Sequence, residues 1–277
     1  PGPASGQMRL LKDKPKVVRQ IDKGLKEGRW KSSPQLSRWL REEHGLQVKE
    51  NTALRWLKKL GGVLRVPRPR HPRRDDVALD EFKSTLRQRL EALGLAPGTK
   101  VRVWVMDEAR FGLHTEVRRV WTRRGVRPVV ERQTKYEWDY LYGALDVIEG
   151  QAHFLHLPTV NLDCDAQYLE HLAASDPEAV HVVIRDQAGF HLRDGDGRLP
   201  QRVRMVALPP YCPELNPCEQ LWDVIKDEVS NCVHATIEKL RDAMLPALKR
   251  FWDQADRVLS LVGRPWLRDQ ANTSPAA

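Results

Sequence analysis

The spacing of apolar residues in the first sixty positions predicts three short helices. Residues 17–27 repeat their apolar side chains at helical spacing. A second helix is expected to start after Ser33 and Pro34, because Ser is a favoured N-cap and Pro is favoured at the first helical position. A third helix is expected over residues 51–60, where two glycines follow. Two helices joined by a short glycine-containing turn form the helix-turn-helix pattern.

The third predicted helix has one apolar face and one polar face. The apolar face would pack inward and comprises Ala53, Leu54, Leu57 and Leu60. The polar face carries side chains that hydrogen-bond base edges and phosphates when a recognition helix enters the major groove, namely Asn51, Thr52, Arg55, Lys58 and Lys59. This pattern predicts a DNA-binding helix, and a purely structural helical subdomain is the alternative.

Residues 64–74 are rich in proline and arginine. Proline at every second or third position excludes a helix and favours an extended chain. The arginines of this segment could lie along a DNA groove, as basic arms do: Arg65, Arg68, Arg70, Arg73 and Arg74. A plain interdomain linker fits the same pattern equally well. A helix over residues 76–93 is expected to follow.

From residue 100 onward the pattern changes to strands. Residues 101–107 alternate with period two, which predicts a strand that ends at Asp107. Residues 117–130 are expected to form a second strand, a glycine turn and the entry to a third. Further strands are expected over residues 140–148, 152–157, 180–184 and 202–208. Helices are expected over residues 165–174, from Pro217, and in one or two pieces over residues 236–262.

This order of strands and helices is that of a ribonuclease H-like α/β domain. We therefore expect four segments: an all-α helix-turn-helix domain at 1–63, a basic linker with a connecting helix at 64–98, a ribonuclease H-like catalytic domain at 99–264 and a flexible tail at 265–277. Four tryptophans are expected to fill the core of the larger domain, namely Trp104, Trp121, Trp138 and Trp222.

Charge separates the two domains. Residues 1–75 carry 20 Lys and Arg against 7 Asp and Glu, a net charge of +13, whereas the whole chain of 277 residues carries +9. A basic unit ahead of a weakly acidic body indicates nucleic-acid binding, and a solvated basic face is the alternative. No apolar run is long enough to predict a membrane span. The four cysteines show no metal-site spacing and fit a reducing cytosol.

Three acidic residues stand where a metal site can form. Asp107 and Asp186 end predicted strands, and Glu219 lies at the predicted start of a helix. Convergent carboxylates suit hard divalent cations such as Mg²⁺ and leave positions open for phosphate and water. Metal-assisted phosphoryl transfer on nucleic acid is therefore the leading hypothesis.

Structural roles are the alternative for each of these acids. The two aspartates could be ordinary turn residues, and Glu219 fits a capping box with Asn216 as the N-cap. Glu108 is expected to face the opposite side of the sheet from Asp107, so only one of the two can join the site. His191 is a candidate contact around the metal ligands or to DNA, and a local hydrogen-bonding role is the alternative.

Three blocks of sequence resemble the catalytic blocks of bacterial transposases of the Tc/mariner superfamily, in the insertion sequence 630 group. They are residues 106–112, 186–191 and 208–222. The third block is the most specific, because members of the family read Pro-Tyr-Ser-Pro-(Asp/Glu)-Leu-Asn-Pro there. Residues 39–45 and 57–61 also resemble the second of the two helix-turn-helix units of the family. We find only one such unit, and the first six residues are expected to be a remnant of the linker that precedes it.

The resemblance implies that Asp107, Asp186 and Glu219 bind two Mg²⁺ or Mn²⁺ ions. The last two acids have 32 residues between them, near the usual spacing in the family. The chain departs from the family pattern at Gln187, Cys212 and Cys218, where Asn, Ser and an aliphatic residue are usual.

The implied activity is cut-and-paste transposition into TA sites after binding of terminal inverted repeats. A homodimer is expected in the complex with double-stranded DNA, in the cytoplasm and associated with the nucleoid. Two alternatives share part of the pattern. One is a domesticated, catalytically silent DNA-binding protein, and the other is a stand-alone ribonuclease H-type nuclease.

Overall fold

The computed structural model describes residues 11, 13–67 and 71–272, and it divides the chain into two units, Pro1–Arg70 and His71–Ala277. Two arginines predicted to contact DNA, Arg68 and Arg70, lie outside the described residues, as do the first ten residues with the expected linker remnant.

The first unit contains the three predicted helices. They are α1, Pro15–Lys26; α2, Ser33–His44; and α3, Glu50–Lys59. The N-cap of α2 is Ser32, whose hydroxyl accepts a hydrogen bond from the Gln35 N–H, and the helix ends at Gly45 with a positive φ of 62°. The helix-turn-helix region therefore forms as the apolar spacing predicts.

The two faces of α3 differ in one respect from the prediction. Trp56 is buried together with Ala53, whereas Leu54 is 40% exposed. A buried residue three positions after Ala53 lies on the same helical face, and Leu54 lies one position further round. The prediction that Leu54 packs inward is therefore wrong. The predicted polar face is exposed at Asn51, Arg55, Lys58 and Lys59, and Thr52 is half-buried.

The second unit is built on a sheet of five strands. They are β1, Val101–Gly112; β2, Trp138–Asp146; β3, Ala152–Leu157; β4, Val180–Arg185; and β5, Val203–Ala207. Their spatial order is β3-β2-β1-β4-β5. Strand β2 is antiparallel to both of its neighbours, β1 and β3, and β4 and β5 run parallel to β1. This arrangement agrees with the predicted α/β class.

Six helices accompany this sheet. They are α4, Asp76–Glu91; α5, Leu162–Ala174; α6, Cys218–Val229; α7, Ile237–Asp253; α8, Ala255–Val262; and α9, Pro265–Ala271. Helix α5 covers one face of the sheet, where Trp104 and Met106 of β1 point, and the other helices cover the face of Val103 and Val105. In the described part of the chain, no helix is long and apolar enough to cross a membrane.

Strand β1 is longer than predicted. It continues through Asp107 to Gly112, because β2 pairs with it in antiparallel register as far as Gly112 and Trp138. The predicted strands within residues 117–130 are wrong. These residues include several β-branched side chains, but in the described part of the chain no strand lies beside them to pair with. They belong to the β1–β2 connection, residues 113–137.

The β1–β2 connection is fixed at its base and exposed beyond it. Gln133 N–H donates to the Thr115 hydroxyl at 2.9 Å, and Thr115 N–H donates to the Gln133 carbonyl at 3.2 Å. Trp121 is fully exposed and Trp138 is 37% exposed, so the prediction that these two tryptophans fill the core is wrong. Trp104 and Trp222 are buried as predicted.

The C-terminal segment also differs from the prediction. Residues 265–277 were expected to form a flexible tail, yet α9 is a helix with Leu267 fully buried. Leu267 and Ala271 belong to the same apolar cluster as Phe82 of α4, so burial against α4 stabilises the helix. Residues 273–277 lie outside the described residues.

Candidate active site

Asp107 lies in β1, and Asp186 directly follows the adjacent parallel strand β4. The last registered pair between β1 and β4 is Val105 and Ile184, and each aspartate lies two positions further along. Side chains two positions apart share a face of the sheet, and neighbouring strands are about 4.8 Å apart. Asp107 therefore points to the face covered by α6, and Asp186 directly follows β4 at the same edge of the sheet.

Asp107 is held by the helix that carries Glu219. The indole Nε1–H of Trp222, in α6, donates to the Asp107 carboxylate at 2.9 Å. Gly143, the β2 partner of Asp107, leaves space for this ring, since a Cβ at Gly143 would come within 2.5 Å of the Trp222 ring. Burial, with smaller contributions from the negative charges of Glu108 and Glu219, raises the pKa of Asp107 to about 7.

Asp186 begins the loop after β4. Its carboxylate is 60% exposed, accepts a hydrogen bond from the Ala188 N–H at 3.0 Å and lies 3.0 Å from His191 Nδ1. The hydrogen bond with His191 holds the pKa of Asp186 below its ordinary value, against the opposing effect of burial. The carboxylate is therefore ionised and faces solvent.

Glu219 lies in the first turn of α6, and Asn216 ties that turn to β1. The Asn216 side chain donates to the Met106 carbonyl at 2.9 Å and accepts from the Cys218 N–H at 3.1 Å. The Asn216 N–H itself donates to the Pro213 carbonyl, so it is not bonded to Glu219 as a capping box requires. The capping alternative for Glu219 is therefore not supported.

The electrostatic surroundings of Glu219 connect it with both aspartates. Burial raises the pKa of Glu219; Lys226 lowers it, and the negative charges of Asp223 and Asp186 raise it further. The charge of Glu219 in turn contributes to the raised pKa of Asp107. The charge of Glu219 is therefore coupled to that of each aspartate, and a cation bound beside Glu219 would relieve this repulsion.

The donor chemistry of these acids fits a hard divalent cation. Carboxylate oxygens are the ligands that Mg²⁺ and Mn²⁺ take in proteins. Among residues 11, 13–67 and 71–272, no three His, Cys, Asp or Glu side chains approach closely enough to form a complete metal ligand set. The three acids are thus neighbours whose carboxylates do not converge on one point.

Glu108 was not predicted to take part in the site. It faces the opposite side of the sheet from Asp107, as predicted, but its carboxylate is buried and lies 3.0 Å from His191 Nε2. Burial opposes protonation of His191, yet its hydrogen bonds with Asp186 and Glu108 outweigh that effect and raise its pKa to about 9. An acid in a buried strand needs a partner, and this was the signal available in the sequence.

Arg74 differs from the other arginines predicted to contact DNA. Its guanidinium forms ion pairs with Asp76 at 2.8 Å and with Glu214 at 2.6 Å. Both pairs compete with phosphate for the same donors, so Arg74 fixes the start of the second unit against the loop before α6. Arg65 and Arg73 are exposed, and their predicted role in DNA binding stays a prediction.

Two family models match the chain. The DDE superfamily endonuclease model matches residues 102–241, which is half of the chain, and the winged helix-turn-helix model matches residues 27–86. The "Uncharacterized protein y4pE/y4sA" of Sinorhizobium fredii is 29% identical over 131 residues, which is 47% of this chain and 96% of that protein.

The fold is similar to solved structures of Mos1 transposase. The Mos1 strand transfer complex matches with a TM-score of 0.62 and 15% identity over 92% of this chain and 76% of that chain. The Mos1 mariner paired-end complex with Mn matches with a TM-score of 0.59 and 16% identity over 92% of this chain and 79% of that chain.

The structural comparisons confirm the predicted ribonuclease H-like fold. The family models confirm an N-terminal helix-turn-helix and an endonuclease. Membership in the matched endonuclease family implies the use of a divalent metal ion. The chain belongs to the DDE superfamily of endonucleases.

Proposed function

We propose that this protein is a cut-and-paste transposase that uses Asp107, Asp186 and Glu219 to cleave and join DNA. One observation carries the proposal. Two aspartates occupy equivalent positions beyond the last registered pair of adjacent parallel strands, and Glu219 is close enough to affect both acids electrostatically. Repulsion between nearby carboxylates destabilises the fold. Acids in this arrangement are therefore better explained by a role in phosphoryl transfer than by a role in stability.

The three acids would hold two Mg²⁺ or Mn²⁺ ions. Such ions, when bound, activate an attacking oxygen and stabilise the leaving oxygen of a phosphodiester. The protein supplies rigid support for the ligands: Trp222 fixes Asp107 by a hydrogen bond, and Asn216 anchors the first turn of α6 to β1. Structures of the Mos1 paired-end complex with Mn and with Mg support this assignment by analogy.

The first unit would select the DNA. Its exposed face on α3 carries Asn51, Arg55, Lys58 and Lys59, which together can contact base edges and phosphates. Arg65 and Arg73 would add phosphate contacts. The target is the pair of terminal inverted repeats of the element, bound by a homodimer in the bacterial cytoplasm at the nucleoid, with TA as the insertion site.

Cleavage of DNA that carries the inverted repeats flanking the coding region tests the proposal. Asp107→Asn, Asp186→Asn and Glu219→Gln are each expected to reduce Mg²⁺-dependent strand cleavage by orders of magnitude and to leave gel-shift binding intact. Glu170→Gln is the matched control, because Glu170 is exposed on α5 away from the three acids. A wild-type protein that binds these ends but cleaves neither strand with Mg²⁺ or Mn²⁺ would instead support the catalytically silent alternative.

A further inference from the structure

We infer that Glu108 is a positioning residue that holds the Asp186 carboxylate through His191. The inference rests on the proposed function, because it treats Asp186 as a metal ligand. His191 lies between two acids: its Nδ1 is 3.0 Å from the Asp186 carboxylate, and its Nε2 is 3.0 Å from the Glu108 carboxylate. The side chains of His191 and Glu108 are only 4% and 6% exposed. Solvent therefore has little access to the contact between His191 and Glu108.

The contact joins β1, which carries Asp107, to the loop after β4, which begins with Asp186. Glu108 follows Asp107 directly in β1, and its backbone is fixed by pairing with Tyr142 of β2. Asp186, by contrast, lies beyond the end of β4 in a loop, and its carboxylate is mostly exposed. Glu108 is fixed in β1. Through His191, it therefore fixes the position of the Asp186 carboxylate relative to the strand that carries Asp107. A metal site needs its ligands held to within a fraction of an ångström.

A buried ion pair fixes the other end of the same loop. The Arg185 guanidinium pairs with Asp165 of α5, at 2.9 Å between Nη2 and Oδ2, and also donates to the Leu192 carbonyl at 3.0 Å. The Leu192 N–H donates to the Asp165 carboxylate at 2.7 Å. His191 is therefore presented from a closed loop whose two ends are both anchored, and its ring has little freedom to turn.

His191 is unsuited to bind the metal directly. Both of its ring nitrogens already face carboxylates, and its ring is buried beneath the loop. A ligand role would require one of these contacts to break. The geometry instead matches a support for Asp186, in the way that hydrogen-bonded partners orient the ligands of metal sites in general.

The test is Mn²⁺ binding to the full chain without DNA, measured by electron paramagnetic resonance, together with Mn²⁺ titration of cleavage. Glu108→Ala is expected to raise the Mn²⁺ concentration at half-saturation roughly tenfold or more in both measurements. Glu108→Gln keeps an oxygen that can accept from His191, so most of the affinity should be retained. DNA binding should not change in either variant.

His156→Gln provides a matched control. His156 forms a similar pair with a buried acid of the same unit, with 2.6 Å between its Nδ1 and the Asp139 carboxylate. This variant should leave Mn²⁺ affinity unchanged. The inference is overturned if Glu108→Ala binds Mn²⁺ as wild type does, or if His156→Gln weakens binding as much as Glu108→Ala.

A second pair of variants decides the question if Glu108→Ala does not fold. Asn at 191 can place its amide near the original Nδ1, whereas Gln can reach the position of Nε2. Each variant therefore keeps only one of the two contacts, and both should lose Mn²⁺ affinity roughly tenfold or more. Wild-type affinity in either variant would overturn the inference.

Asp186→Asn separates this inference from the proposed function. If Asp186→Asn binds Mn²⁺ with wild-type affinity, the assignment of Asp186 as a ligand fails, and the proposed function fails with it. If Asp186→Asn loses binding but the Glu108 variants do not, only the positioning role is wrong.

Discussion

Asp107→Asn is expected to stabilise the metal-free protein at pH 8 while it stops cleavage. The wild-type carboxylate is buried near two other acids, and its pKa is raised from 3.8 to about 7. Asparagine has nearly the same shape and keeps an oxygen that can accept from Trp222, but it cannot ionise. The substitution therefore removes an unfavourable charge and preserves the hydrogen bond.

The sign and size of this effect follow from the change in pKa. Below about pH 4 the carboxyl group of Asp107 is protonated in both the folded and the unfolded chain. Between about pH 4 and pH 7 only the unfolded chain loses the proton, so the free energy of unfolding falls as the pH rises. Three pKa units at about 1.4 kcal/mol each set an upper limit of about 4 kcal/mol. Above pH 7 this decrease in the free energy of unfolding of the wild-type protein no longer changes with pH. Asp107→Asn does not undergo the decrease at any pH.

Scanning calorimetry of the full chain in EDTA measures this effect. The transition with the larger enthalpy belongs to the second unit, which has more residues than the first. Its midpoint should rise by several degrees at pH 8 in Asp107→Asn, and the difference from wild type should shrink at pH 4. Glu170→Gln, on the exposed face of α5, should change neither value. An equal midpoint for Asp107→Asn and wild type at pH 8, or an equal gain at both pH values, would refute the reasoning.

Three further predictions follow from the same structure. Glu219→Gln should stop cleavage in a single-turnover assay with little change in melting temperature. Glu214→Gln should retain most cleavage and lose only its ion pair with Arg74. Normal cleavage by Glu219→Gln would exclude Glu219 as a metal ligand. Leu267→Ala should lower the free energy of unfolding of the second unit by about 2–5 kcal/mol in urea titration, because Leu267 is fully buried; a neutral effect would contradict the packing of α9. Removal of residues 1–70 should lower DNA affinity. It should also reduce the slope of log affinity against log salt concentration by about one unit for each lost phosphate contact. An unchanged slope in a gel-shift titration would contradict the assignment of DNA binding to the first unit.

The sequence predicts the strands that carry the acids because their apolar patterns are strong and local. The alternation in β1 and the apolar run in β4 each locate a strand, and parallel pairing then brings Asp107 and Asp186 to one edge. The helix that begins near Glu219 is likewise marked by Asn216 and Pro217. These features depend on residues close in sequence, so the elements that carry the three acids could be predicted before the fold was known.

Other features depend on contacts between distant residues. Residues 117–130 have the composition of strands, but a strand also needs a neighbour, and none lies beside them in the described chain. Helix α9 is short and forms because Leu267 finds the apolar surface near Phe82. The contact of His191 with Glu108 spans 83 positions and exists only once β1 and the loop after β4 are in place. No local pattern encodes such pairs.

The β1–β2 connection has a consequence for how freely the sequence can change. Two adjacent antiparallel strands need only a turn of two to five residues, yet 25 residues join β1 to β2. By loop-closure entropy the extra length costs only about 1.5 kcal/mol. The bonds between Thr115 and Gln133, and the ion pairs of Arg118 with Asp223 and Asp227 of α6, anchor the connection on the near side of Trp121. Insertions, deletions and substitutions around Trp121 would therefore leave the three acids in place. This segment is where variants of the enzyme can diverge in length while their catalytic sheet stays the same.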